Sequence, residues 1–269
     1  METKRNDMTP HEAAAALRWL AEMGADEIIG EEAVNRLAAA ASAGAPVLAA
    51  KAAMPAPVVA ETRHSHAPAT PSQAAACGSL AEIAAALDAF DACPLKKTAT
   101  RLCYADGNPA ARVMLVGEAP DRDEDIQGKP FAGRSGQLLD RMLAAIGLSR
   151  TADDRENAVF ITNLIFWRPP GNRTPTEAET QMCLPFLLRT IELQKPDVIV
   201  CLGVTPAHRL TGRSDGMLKM RGRWTTANIS GRNIPLLPTL HPAFLLRQPA
   251  QKRLAWRDLL TLRQALDAH

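Results

Sequence analysis

The 269-residue sequence has no run of about 18 apolar residues, the length a helix needs to cross a bilayer. Its first ten residues, Met1 to Pro10, are polar and charged, without the basic-then-apolar order of a secretory signal. These two absences lead us to expect a cytoplasmic protein with no membrane partner. The five cysteines (Cys77, Cys93, Cys103, Cys183 and Cys201) form no C-x-x-C pair, so neither a disulfide framework nor a zinc site of that spacing is indicated. Net charge is also small, +2, which excludes a uniformly basic nucleic-acid coat.

The charge is unevenly placed, however. Residues 205–257 hold ten Arg or Lys against one acid, Asp215, a bias that suits a phosphate-facing surface.

Three segments are read along the chain. Residues 1–37 carry Leu17, Leu20, Met23, Ile28, Ile29 and Val34 at near-helical spacing broken at Gly24 and Gly30, which predicts two short helices. Residues 38–78 are rich in Ala and Pro without a period and read as a flexible linker, in which His64 and His66 lack the further ligands a metal needs. Residues 79–269 form the main domain. There, apolar runs at 112–117, 158–165, 197–203 and 234–240 alternate with helical patterns at 79–90, 135–148, 177–194 and 252–266. This alternation predicts a three-layer α/β/α fold around a mainly parallel, four-stranded sheet. Ligands of such sheets sit beyond the strands' carboxyl ends, where this sequence has Gly117-Glu118, Asn163, Gly203 and His241.

Six strings occur in order: GEAPDRDED (117–125), GKPFAGRSGQLLD (128–140), TNLIFWRPPGNRTP (162–175), Cys183, PDVIVCLG (196–203) and HPAFLLRQP (241–249). Together they resemble the family 4 uracil-DNA glycosylases of bacteria and archaea, over roughly residues 88–266. The resemblance implies a monofunctional enzyme that flips uracil out of single- or double-stranded DNA and hydrolyses its N-glycosidic bond, leaving an abasic site. A monomer is expected.

It also implies residue roles. Phe131 would stack on the base, with Ala119 beside it, and Asn163 would read uracil's carbonyl and N3–H. His241 would support the departing base, and Glu118, with Glu124 as a second acid, would serve the water or the sugar. Gly133 and Ser135 would offer helix N-terminal groups to a phosphate, Leu245 or Leu246 would wedge into the vacated stack, and Arg247 would hold the backbone. Asp123 and Asp125 read as solvated acids.

The sequence departs from the family in two places. Family members hold a four-iron four-sulfur cluster on four cysteines, but only Cys93 and Cys183 match; the other two positions are Phe90 and Trp167. We therefore expect no intact cluster, no other cofactor and no metal, with Cys103 and Cys201 poorly placed as substitutes. Asp121 stands where the family has glycine, which puts a carboxylate near the expected base site. The altered first motif and the missing thiolates together raise an alternative reading, a uracil- or damaged-DNA binding protein with little or no turnover. A small-molecule nucleotide hydrolase would leave HPAFLLR without a purpose. A related subgroup acts through a histidine in an inserted basic loop, and GKPFAGRSGQLLD lacks that insert.

Overall fold

The structure, a computed structural model, describes residues 70–268. The helices expected within 1–37, and the linker up to residue 69, lie outside the described residues.

Six strands make one sheet in the order β1-β3-β2-β4-β6-β5. They are β1 (Ala105–Gly107), β2 (Val113–Gly117), β3 (Val159–Asn163), β4 (Val198–Leu202), β5 (Thr225–Ile229) and β6 (Arg232–Thr239). The inner four pair in parallel, and β1 and β5 are antiparallel edges. The expected four-stranded sheet is thus the parallel centre of a six-stranded one. Both edges lack a long apolar run: β1 is Ala-Asp-Gly, and β5 is half polar. The turn joining β5 to β6 places Ser230 and Gly231 at positive φ, the backbone a tight two-residue hairpin demands.

Every residue of β2, β3 and β4 is buried, as expected for strands covered on both faces. Their side chains alternate between two cores. Met114, Val116, Phe160, Ile199 and Cys201 face one core; Val113, Leu115, Val159, Ile161, Val198 and Val200 face the other.

The first core is roofed by α1 (Thr70–Ala76), α2 (Leu80–Asp88) and, later in the chain, α5 (Glu177–Gln194). Helix α1 lies inside the segment read as linker. Its Ala-rich sequence is helix-forming, and burial of Ala74 and Cys77 gives it a packed face that composition alone does not show. The second core is covered by α4 (Arg134–Ala144) through Leu139 and Leu143, and by the last helix through Leu259, Leu262 and Leu266.

Between these come α3 (Arg122–Gln127), α5 (Glu177–Gln194), α6 (Val204–Thr211), α7 (Met217–Met220), α8 (Pro242–Arg247) and α9 (Lys252–Asp267). Helix α5 begins with a capping box in which Thr176 and Glu179 satisfy each other's backbone amides.

Candidate active site

The candidate residues gather at the carboxyl ends of the parallel strands. Gly117 and Asn163 end β2 and β3 and are partners in register, while Gly203 follows β4 and His241 follows β6 by two residues.

Gly117 makes the recess possible. A Cβ there would lie 2.2 Å from Asn163 Oδ1 and 2.7 Å from the Phe131 ring, so glycine alone lets an amide and an aromatic face meet at this point. Asn163 is 1% exposed, and both its amide nitrogen and oxygen lack hydrogen-bond partners within the protein. A buried amide left unsatisfied on both atoms costs stability, and such groups concentrate where a ligand completes them.

Phe131 is buried, with its ring centroid 5.4 Å from that of His241 at an interplanar angle of 32°. It adopts φ +53, a left-handed backbone uncommon outside glycine.

His241 caps α8: the Ala243 backbone N–H donates to its Nδ1 at 3.1 Å. Desolvation, with Arg247 adding positive charge nearby, pushes the His241 pKa down to about 4. At neutral pH the ring is therefore uncharged, and since Nδ1 accepts, the proton is on Nε2.

Glu118 follows β2, and its Oε2 accepts from Thr205 Oγ1, in the first turn of α6, at 3.2 Å. A groove of about 520 Å³ lined by Thr174, Thr205, His208, Arg209 and Arg213 opens beside this pair. A wider concavity of about 850 Å³ near Arg112, Trp224 and Arg263 lies at the amino ends of β2 and β4, the opposite end of the strands from the candidate residues. Ala119 is half-buried against the first core.

Several expectations need correction. Asp121 does not present its carboxylate as a free charge beside the site. It caps α3, accepting from the Asp123 and Glu124 amides at 2.9 and 3.0 Å, and its φ of −91 needs no glycine. Glu124 is buried and accepts from the Asp121 and Phe131 amides; burial foremost, then the Asp121 charge, push its pKa up to about 8. Asp125 is not solvated: it is 3% exposed and accepts from the Thr100 amide and hydroxyl and the Arg101 amide. Asp123 is exposed, as expected.

Leu245 is fully buried among Leu138, Leu240 and Ala255, and so is not free to enter DNA; Leu246 is only partly buried and Arg247 is exposed. Ser135 is buried, so its side chain does not face a phosphate, although α4 starts at Gly133 without a side-chain cap and leaves its first amides open.

Cys93 and Cys183 sit side by side, one thiol hydrogen-bonding the other, and the Cys183 proton is held well above the usual thiol range. The two remaining cluster positions are filled with rings. Phe90 stacks on Trp167 at 6.3 Å and meets Phe186 edge-on at 5.3 Å, all three buried in the same core as the two cysteines. Two thiols among packed aromatics do not fit a four-thiolate cluster. Cys103 cannot make up the set: its thiol donates to the Glu124 carbonyl at 3.1 Å, and burial pushes its pKa up to about 12. Cys201 is buried within β4. Among the described residues no group of three or more His, Cys, Asp or Glu could hold a metal ion.

Sequence reasoning missed Thr205 and Arg150. The first reads as an ordinary helix start; the second stands between the quoted strings and reaches the recess only in three dimensions.

The fold defines a class: a doubly covered α/β sheet whose parallel-strand ends bring together Gly117, Asn163 and His241, with Phe131 beside them. Residues 104–260 match the Uracil DNA glycosylase superfamily, and the chain belongs to that superfamily. It is 39% identical to a type-4 uracil-DNA glycosylase of Saccharolobus solfataricus, over 65% of this chain and 81% of that protein. It is 38% identical to type-4 uracil-DNA glycosylases of Pyrobaculum aerophilum and Thermotoga maritima, covering 85% and 84% of their lengths. No helix among the described residues is long and apolar enough to cross a membrane.

Proposed function

We propose that the chain removes uracil from DNA by hydrolysing the N-glycosidic bond and leaves the backbone intact. The observation that carries this is Asn163, buried with both amide atoms unpartnered, whose Oδ1 flanks Gly117 together with the Phe131 ring, which in turn neighbours His241. Uracil offers a carbonyl acceptor and an adjacent N3–H donor, which such an amide satisfies together; cytosine's edge has no matching N–H.

Phe131 stacks on the flipped base. His241 donates Nε2–H to the carbonyl where negative charge collects as the bond breaks, and Arg247 adds a favourable field. A histidine neutral down to about pH 4 stabilises the base as an anion instead of protonating it. Glu118, steadied by Thr205, orients the water or supports the cationic sugar. Leu246 is the wedge, the open start of α4 and Arg247 hold phosphates, and the substrate is uracil-containing DNA met by a monomer in the cytoplasm.

With Asp121 engaged as a helix cap, one of the two grounds for a binding protein without turnover is weakened; the other, the two missing thiolates, stands, and turnover itself decides between the readings. The test is release of free uracil from a uracil-containing oligonucleotide. Binding without product, or activity retained in all of His241→Ser, Asn163→Ala and Glu118→Gln, overturns the assignment.

The chain carries no iron–sulfur cluster, and the ring stack of Phe90, Trp167 and Phe186 takes over its structural part by packing. Iron and acid-labile sulfide analysis of protein purified without oxygen checks this; about four irons per chain would refute it.

A further inference from the structure

We propose that Arg150 is a positioning residue for base recognition: its guanidinium clamps the backbone of residues 130–131 and so holds the Phe131 ring where the base stacks. The inference rests on the reading of Phe131 as the stacking partner.

Arg150 follows α4 in a loop tied to the sheet, with Ser149 N–H donating to the Asn157 carbonyl at 2.8 Å and Ser149 C=O accepting from Val159 at 3.1 Å. From there the guanidinium reaches four acceptors. Nη1 donates to the Pro130 carbonyl at 3.2 Å and to Asp106 Oδ2 at 3.1 Å, Nη2 donates to the Phe131 carbonyl at 3.1 Å, and Nε donates to Asp140 Oδ1 at 2.7 Å. Its side chain is only 12% exposed. One planar group thus joins β1, α4 and the 130–131 turn in a fork that lysine's single ammonium cannot reproduce.

The turn needs such support. Phe131 is held in the left-handed region, which persists only where the surroundings over-determine it. Glu124 takes the Phe131 amide from one side, Arg150 takes the carbonyl from the other, and Gly136 lies beneath. A Cβ on Gly136 would fall 1.6 Å from the Phe131 carbonyl oxygen, so α4 is packed directly on the strained peptide. Relaxation of that peptide would swing the ring away from Asn163 and His241.

A double-mutant cycle in the full chain tests this. Single-turnover excision from a uracil-containing single-stranded oligonucleotide is measured for the wild type, Phe131→Ala, Arg150→Met and the double variant, below the unfolding temperature of each. Arg150→Met should slow excision by about tenfold or more in the wild-type background, yet by under about twofold when the ring is already gone. Equal slowing in both backgrounds, the mark of a merely structural ion pair, overturns the proposal, as does no slowing at all. Arg150→Lys, which keeps the charge but not the fork, takes the place of Arg150→Met if that variant does not fold. Gly136→Ala should behave alike without any change of charge. If Phe131→Ala itself leaves the rate unchanged, the stacking role fails first, a result distinct from failure of the clamp.

Discussion

Ala243 donates its backbone N–H to Nδ1 of His241, and this one bond leaves the Nε2 proton for a ligand while the ring stays neutral. Excision should therefore be insensitive to this group from pH 8 to about 5 and should fall as pH drops toward 4, where protonation of Nδ1 removes the cap of α8. His241→Ala should slow single-turnover excision by about 10²- to 10³-fold, the effect of losing one donor to a developing anion. A fall in rate centred near pH 6.5 would contradict the neutral assignment.

The same histidine affects stability with a definite sign. Its folded pKa, about 4, lies below the ordinary value of 6.5, so the unfolded chain takes up the proton first and the histidine destabilises the fold as pH falls from 6.5 to 4. Glu124 acts the other way. Its folded pKa of about 8 lies above 4.5, so the folded state holds the extra proton and its contribution is lost as pH rises from 4.5 through 8. Melting temperature measured across this range should decline less on the alkaline side in Glu124→Gln than in the wild type. An unchanged slope would mean that Glu124 is ionised in the fold.

Gly117→Ala should fold but fail. Its new methyl would fall on Asn163 Oδ1 and the Phe131 ring, so excision should drop by about 10²-fold or more while circular dichroism is unchanged. Activity within threefold of wild type would mean that these groups do not form the base site.

The adjacent leucines should separate cleanly. Leu245→Ala should destabilise the protein by about 2–5 kcal/mol, as for a buried leucine truncated in a packed core. Leu246→Ala should leave the melting temperature nearly unchanged and should slow excision more on duplex than on single-stranded DNA, because only the duplex needs a wedge to hold the base out. The reverse pattern would return the wedge to Leu245.

Much of this molecule is local and so was legible in the order of its residues. The buried strands are short apolar runs, α5 shows as a helical apolar pattern over 177–194, and glycine, asparagine and histidine at strand ends marked the recess. These follow from nearest neighbours: alternation, helical period and backbone geometry. What tertiary structure alone decided depends on distant groups meeting. Asp121 looked like a charge aimed at the base until its carboxylate was found on the amides of α3. Leu245 and Leu246 are indistinguishable in sequence, and only the packing of Leu138, Leu240 and Ala255 buries one of them. Composition made residues 70–76 a linker, and contact with the first core makes them a helix. Phe90 and Trp167 showed in sequence that two thiolates are missing, but only packing shows their rings sharing a core with Phe186 and the remaining cysteines. Arg150 had no signal at all, because nothing in its own segment tells a long, forked cation which carbonyls, nineteen and twenty residues away, it will reach.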